Sequence, residues 1–441
     1  MDYRFAKVVI VIGLGLTPMS RAFGQNQKQA VKFEALKIDD LISQALAQNQ
    51  ELKAQELEVQ SQKAQVGPAG APDDPMLDVK AMNFPADTLS SNQEDMTGVE
   101  VSVSQSIPFP GKRGKLREAQ RHSAIASQNL FEQKKWQLIK QVKDIYYTLY
   151  LAYQNQALLE EQKRILGQVI ATSRSQYTLG KVSQAALLNL QAEEAGLIDE
   201  LLKSESAVRV ANNELNHLLG HTGAHQHGRS ETIQRSTFDF KNWTEDKIAA
   251  LVVDTNARLK GLESRVQSEA AKLGYAKKGY LPDFRIMAGY TFREPTRMGG
   301  AGTDMVSAGI GISIPLWAGS KQSEQIKSAA AERAKAEAEY RDGRLMTEHE
   351  ARGAFAELTE AQKRIDLFKG GLLQLTAQAV ASGRSAYLTG KIDFAGLFDA
   401  IRTQYKTQYA YQEALAKFEM KLAHLEALAS QSLTAGTKGG K

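Results

Sequence analysis

The chain has 441 residues, 24% of them charged and 42% hydrophobic, with a formal net charge of +5 and no cysteine. The missing thiol excludes disulfides, cysteine nucleophiles and an N-terminal lipid-modified cysteine. Arg4, Lys7 and Arg21 against Asp2 place +2 of the charge before residue 25, leaving about +3 on the rest, which does not describe a nucleic-acid surface.

The first segment reads as an export signal. Arg4 and Lys7 precede the apolar run Val8–Leu16, and Ala22-Phe-Gly24 before Gln25 fits a small-x-small cleavage site, so residues 1–24 are expected to be a signal peptide. Its apolar core is too short to span a bilayer, and no later segment approaches the length of a membrane helix.

Proline placement sorts the rest of the chain. Of ten prolines, Pro18 lies in the leader and the other nine bracket two short windows, leaving 111–281 and 316–441 free of proline. Proline removes a helix hydrogen bond and clashes with the preceding turn, so these tracts, rich in Ala, Leu, Glu, Gln and Lys, are predicted to be helix.

Within the first window the period changes to two. Met76–Phe84 and Thr97–Ile107 read as strands joined by the Pro85–Met96 loop. The second places Val99, Val101, Val103 and Ile107 on one side and Gly98, Glu100, Ser102, Ser104 and Ser106 on the other. Strands of about 10 residues span a bilayer when tilted, and a Gly/Ser-rich second face suits a watery lumen. The basic run Lys112-Arg-Gly-Lys-Leu-Arg117 then reads as a cluster at the membrane boundary.

From Gly114 a rod of about 60 residues, on the order of 90 Å, is expected to run to Tyr177–Lys181. Leu138, Ile145, Ala152, Leu159 and Leu166 keep a seven-residue beat, with Ile139, Tyr146 and Tyr153 beside them, which predicts a supercoiled packing seam. The chain reverses at Tyr177-Thr-Leu-Gly180-Lys181, where glycine supplies the positive φ of a helix C-cap. His217, His221, His225 and His227 surround Leu218–Gly228; without cysteine or carboxylate at ligand spacing they read as loop polarity, and no metal site is expected.

The pattern then repeats. Asn49-Gln-Glu-Leu-Lys53 returns as Asn256-Ala-Arg-Leu-Lys260, Ser106-Ile-Pro108 as Ser313-Ile-Pro315, and Leu215-Asn-His217-Leu as Leu422-Ala-His424-Leu, each shifted by 207. Strands are predicted at Phe284–Arg293 and Met305–Ile314, and a second turn at Tyr387-Leu-Thr-Gly390-Lys391, shifted by 210. The predicted organisation is a first repeat over 25–220, a linker over 221–243, a second repeat over 244–428 and a flexible tail over 429–441. The fold class is an α+β membrane protein with internal duplication. Four strands cannot close a barrel, and open edges are not tolerated in lipid, so three chains would supply twelve.

The chain resembles the TolC family of outer-membrane efflux proteins across 38–428. Gln105-Ser-Ile-Pro-Phe-Pro-Gly-Lys-Arg-Gly114, Ser313-Ile-Pro-Leu-Trp-Ala-Gly319 and the two Tyr-x-x-Gly turns carry the resemblance, and Asp73-Asp-Pro-Met76 is similar to the branch that partners heavy-metal exporters. The resemblance implies a homotrimer with a twelve-stranded barrel in outer-membrane lipid and a helical coiled-coil periplasmic tunnel. It implies docking on a periplasmic adaptor driven by an inner-membrane pump, with heavy metals, drugs or a secreted protein as cargo. It also places adaptor docking at Tyr177, Gly180, Lys181, Tyr387, Gly390 and Lys391, and a tunnel gate at Asp399, whose usual acidic partner three residues earlier is Gly396. No cofactor is implied, and no nucleophile–base pair or phosphate loop suggests an enzyme. The rival class is a structural coiled-coil envelope protein, which needs neither strands nor a pore.

Overall fold

The computed structural model describes residues 36–223, 225–228, 232–233, 235–297, 299–389 and 391–434; the expected signal peptide, Gly390 and most of the expected tail lie outside the described residues. Helices α1 (Ile38–Gln48), α2 (Gln50–Ala64) and α3 (Val66–Gly70) lead to strands β1 (Met76–Met82) and β2 (Gly98–Ile107). Helix α4 (Lys112–Thr178) and the returning α5 (Gln184–Leu218) form the first hairpin. The order recurs as α6 (Glu245–Thr255), α7 (Ala257–Lys277), β3 (Phe284–Phe292), β4 (Met305–Ile312), α8 (Gln322–Leu367), α9 (Leu373–Leu388) and α10 (Phe394–Ala429).

The duplication is written in hydrogen bonds. Asn49 caps α2 by accepting from Leu52 N at 3.0 Å and reaches across to donate from Nδ2 to Leu218 O at 3.2 Å. Asn256 repeats both bonds, to Leu259 N at 2.9 Å and Leu428 O at 2.8 Å. Each asparagine thus satisfies one orphan group at a helix start and another at a helix end. The partners differ by 210 where the asparagines differ by 207. Gly220 and Ser430, both at positive φ, end the return helices in the same 210 register. The last sequence anchor is therefore off by three residues: Leu215 matches Leu425, both fully buried, and not Leu422.

The four strands form one antiparallel sheet in the order β1-β2-β3-β4, with the two repeats joined at β2–β3. All four strands are shorter than the sequence predicts, β2 only by Thr97 at its start. Asn83 turns the chain at φ 54° after β1, and Asp304 ends β3 by accepting from Arg293 N at 2.9 Å. The expected Ile314 end of β4 lies beyond the ladder, which closes at Ile312 opposite Phe284.

Arms of the two hairpins differ. Helix α4 runs 67 residues unbroken, on the order of 100 Å. The matching arm is interrupted between α8 and α9 by a π-turn over Phe368–Leu372, where Gly371 sits at φ 152°. Only glycine adopts that φ without strain, so α8 and α9 are two helices that meet at a kink.

Three apolar cores hold the helices. One packs Leu41, Val142, Leu149 and Leu215; a second packs Ile248, Phe355, Leu358 and Phe418; a third, near the hairpin ends, joins Leu159, Leu166 and Leu197 to Phe394 and Phe398. The predicted seam in α4 is mostly buried, with Leu138, Tyr146, Ala152, Leu159 and Leu166 inside and Ile145 half-buried. Between the first two cores, Lys143 Nζ pairs with the buried Glu426 at 2.7 Å, and buried Glu419 accepts from Ser236 N at 2.6 Å and Ser236 Oγ at 2.7 Å. The last two bonds pin the inter-repeat linker to α10. Among the described residues no helix is long and apolar enough to cross a membrane.

Candidate functional site

At one end of the fold the strand register sorts the side chains into two faces. Val79, Val101, Tyr290 and Val306 lie in one row across the sheet, and Leu77, Val103, Ala288 and Ala308 in the next, so one face is a continuous apolar field. Gln105, opposite Ile286, is the exception; its Nε2 donates to Asp73 O at 2.7 Å and so folds toward the sheet's end. The other face carries the rows Asp78, Ser102, Gly289, Ser307 and Lys80, Glu100, Thr291, Met305, with Met76, Ser104, Met287, Gly309 toward the helices. A Cβ on Gly289 would meet Glu100 Oε1 and Ser307 Oγ at 2.7 Å, so glycine here makes room for the polar row.

The apolar face is uncovered. Val306 is 78% exposed and Ile310 77%, far from what a soluble sheet leaves bare on a whole face. Leu316 and Trp317, in the turn after β4, are also exposed, so an indole stands uncovered at the end of the apolar face. Both outer edges, on β1 and β4, have no strand partner among the described residues.

The hairpin tips stand at the far end of α4 and α5. Gly180, at φ 70°, donates to Tyr177 O at 2.9 Å, and Lys181 N donates to Gln176 O at 3.0 Å, a Schellman-type closure. Ser183 then starts α5 by accepting from Ala186 N at 3.2 Å. The second tip closes alike, with Lys391 N donating to Ala386 O at 2.9 Å and Asp393 capping α10 through Gly396 N at 3.0 Å. Between the tips lies a cleft of about 980 Å³ whose lining includes Gln176, Lys181, Tyr387, Asp393, Asp399 and Arg402. Three residues singled out in the sequence, Lys181, Tyr387 and Asp399, thus share one cleft. Tyr177 and Lys391 do not line it.

The expected gate carboxylate has a partner that the sequence reading did not single out. Arg402 Nη2 lies 3.0 Å from Asp399 Oδ1 on the same face of α10. An i, i+3 pair is a visible signal, but only the cleft shows that both ends of it line one opening. The nearer carboxylate, Asp393, is occupied by its capping bond.

The histidine tract divides. His217 is exposed on the last turn of α5, whereas His221, His225 and His227 gather beyond it. Burial first, then His225 and His221, push the His227 imidazole down to about 4, so it is neutral at neutral pH.

Comparison with known proteins finds matches that extend over both repeats. The model of the outer membrane efflux protein family matches residues 41–221 and again 251–431, both bounds shifted by the 210 seen in the return helices. The chain is 22% identical over 399 residues to the cation efflux system protein CusC of Escherichia coli (strain K12), covering 87% of this chain and 84% of that one. It is also 22% identical over 396 residues to the probable outer membrane lipoprotein SilC of Salmonella typhimurium, covering 84% and 80%. A crystal structure of CusC superposes with a TM-score of 0.76 at 18% identity, covering 93% of this chain and 96% of that one. The Campylobacter jejuni CmeC outer membrane channel superposes with a TM-score of 0.77 at 14% identity, covering 90% and 86%.

Proposed function

The chain belongs to the outer membrane efflux protein family, and we propose that three copies form a passive channel that carries metal cations outward across the outer membrane. The observation that carries the reading is the uncovered apolar face of a sheet with two open edges: one chain cannot satisfy those edges in lipid, and three antiparallel sheets joined edge to edge would close twelve strands. The α4–α5 and α9–α10 hairpins of three chains then continue the barrel as a periplasmic tunnel.

Cation cargo is supported by the Asp73-Asp-Pro-Met76 start, by the Ile-Pro-Phe-Pro-Gly-Lys turn, and by the similarity to a cation efflux system protein. The tips and the cleft between them dock a periplasmic adaptor driven by an inner-membrane pump, and Asp399 lines the tunnel's narrow mouth. The channel hydrolyses nothing; energy enters at the pump. Single-channel conductance of the purified protein in planar bilayers tests the pore, and a silent bilayer refutes it. A deletion strain that becomes sensitive to metal cations and not to drugs, and is rescued by this gene, tests the cargo.

A further inference from the structure

Beyond α5 the chain doubles back over its own helix end, and three histidines meet there. The ring centres of His221 and His225 are 5.2 Å apart, those of His225 and His227 5.2 Å, and those of His221 and His227 5.9 Å. A metal–nitrogen bond is about 2.0–2.1 Å and the ring centre lies roughly 1.2 Å further out, so imidazoles around a tetrahedral ion have centres about 5.2 Å apart. Two sides of the triangle have that length, and the third, at 5.9 Å, is longer.

The hydrogen bonds around it fix which nitrogens are available. Asn216 Nδ2 donates to His225 O at 2.7 Å, which turns its amide oxygen toward His227 Nε2 at 2.8 Å. An amide oxygen only accepts, so Nε2 carries the proton and Nδ1 keeps a bare lone pair. A ring N–H held by a carbonyl is how metal-bound histidines are oriented. Asn212 Oδ1 holds the same residue's backbone, accepting from His227 N at 3.0 Å. His221 Nε2 rests against the Gln44 amide of α1, and its Nδ1 is buried without a hydrogen-bond partner. His225 is exposed and has room to rotate.

We propose that His221, His225 and His227 form a site for a late first-row divalent transition-metal ion, with water in the fourth position. Imidazoles without thiolate or carboxylate suit Zn²⁺, Cu²⁺ or Ni²⁺ and disfavour Mg²⁺ and Ca²⁺. Among the described residues no group of three His, Cys, Asp or Glu side chains is already placed to hold a metal ion. The His221 and His227 rings lie 17° from parallel, so ligation requires them to turn about their Cβ–Cγ bonds, and the ion itself completes the site. Once bound, it staples the start of the linker to α1 through His221 and to α5 through Asn212 and Asn216. The inference concerns a resident ion and does not rest on what the channel exports.

The test uses full-length protein in detergent, without a polyhistidine tag and stripped by chelator. Calorimetric titration with Zn²⁺ should give about one ion per chain, and Co²⁺ should give the intense visible bands of a tetrahedral site. His225→Ala, at an exposed loop position whose only ring contacts among the described residues are those with His221 and His227, should weaken Zn²⁺ binding by about tenfold or more. His217→Ala should bind like the parent. Absence of stoichiometric binding, parental affinity in His225→Ala, or an equal loss in His217→Ala would overturn the assignment.

Discussion

Replacing Ile310 with Lys reads the environment of the apolar face through the sign and size of one number. Ile310 is 77% exposed in the single chain, near the middle of the row that faces away from Ser307 and Gly309. If that face met water, an exposed Ile→Lys change would alter stability by about 0.5 kcal/mol or less. In hydrocarbon near the bilayer centre the same change costs roughly 2–4 kcal/mol, a loss of about thirty- to nine-hundred-fold in the folded ratio of each chain. Ser307→Lys, three residues away on the same strand but on the polar face, would add its ammonium to a lumen beside Glu100 and is expected to cost about 0.5 kcal/mol or less. Urea titration of both variants refolded into lipid vesicles, followed by the heat-modifiable shift of the trimer on gels, gives the two values. Equal stabilities for Ile310→Lys and Ser307→Lys would refute the lipid-facing assignment and the barrel with it.

The tips, the gate and the buried carboxylate give further tests. Gly180→Val puts a β-branched residue at φ 70°, where the cost is conformational because a Cβ there meets nothing within 4 Å; a distortion of about 1–2 kcal/mol should weaken adaptor capture and export while the trimer stays intact, and Gly180→Asn should be nearly silent. Asp399→Ala should raise conductance and lower cation selectivity within a few-fold, whereas Arg402→Ala, by freeing the carboxylate, should raise cation selectivity; identical bilayer currents in all three proteins would make both residues bystanders. Burial raises the Glu419 carboxyl above its ordinary value, while the Ser236 bonds and Lys143 oppose this and Glu426 adds to it. A carboxyl whose folded value exceeds its unfolded one costs stability while ionised and regains it as pH falls through the folded value. The wild type should therefore gain stability relative to Glu419→Gln on going from pH 8 toward the carboxylate range, and a pH-independent difference between the two would count against a strained carboxylate.

Local pattern carried the sequence reading where neighbours in the chain decide the outcome. The alternation of Val99, Val101 and Val103 with Ser102 and Ser104 is enforced by the pleat itself, so two faces were legible before any pairing was known. The reversal at Gly180 was equally legible, because positive φ is a property of one residue. What depends on distant partners was not. The asparagine bridges join residues 169 and 172 apart, and only they expose the three-residue offset that misplaced the Leu422 anchor. Strand ends fell short because Asn83 and Asp304 compete for the ladder through their own side chains. The histidines read as polar loop because no cysteine or carboxylate accompanies them at ligand spacing; the fold of the loop, not the spacing, brings three of the rings together. Gly370-Gly371 was in plain view, yet the flanking sequence stays helical and nothing local distinguishes a tolerated glycine pair from a break.

That break gives the two hairpins unequal mechanics. A continuous 67-residue arm behaves as a beam fixed along its length, whereas the other arm has a pivot at Gly371, with the 16 residues of α9 beyond it as a lever. At 1.5 Å per residue the lever is about 24 Å long, so a swing of roughly 10° displaces its end by about 4 Å, the width of a side chain. Asp399 and Arg402 ride on the helix paired with that lever. A swing at Gly371 would therefore carry the second tip and its side of the cleft, whereas the unbroken α4 offers no such pivot at the first.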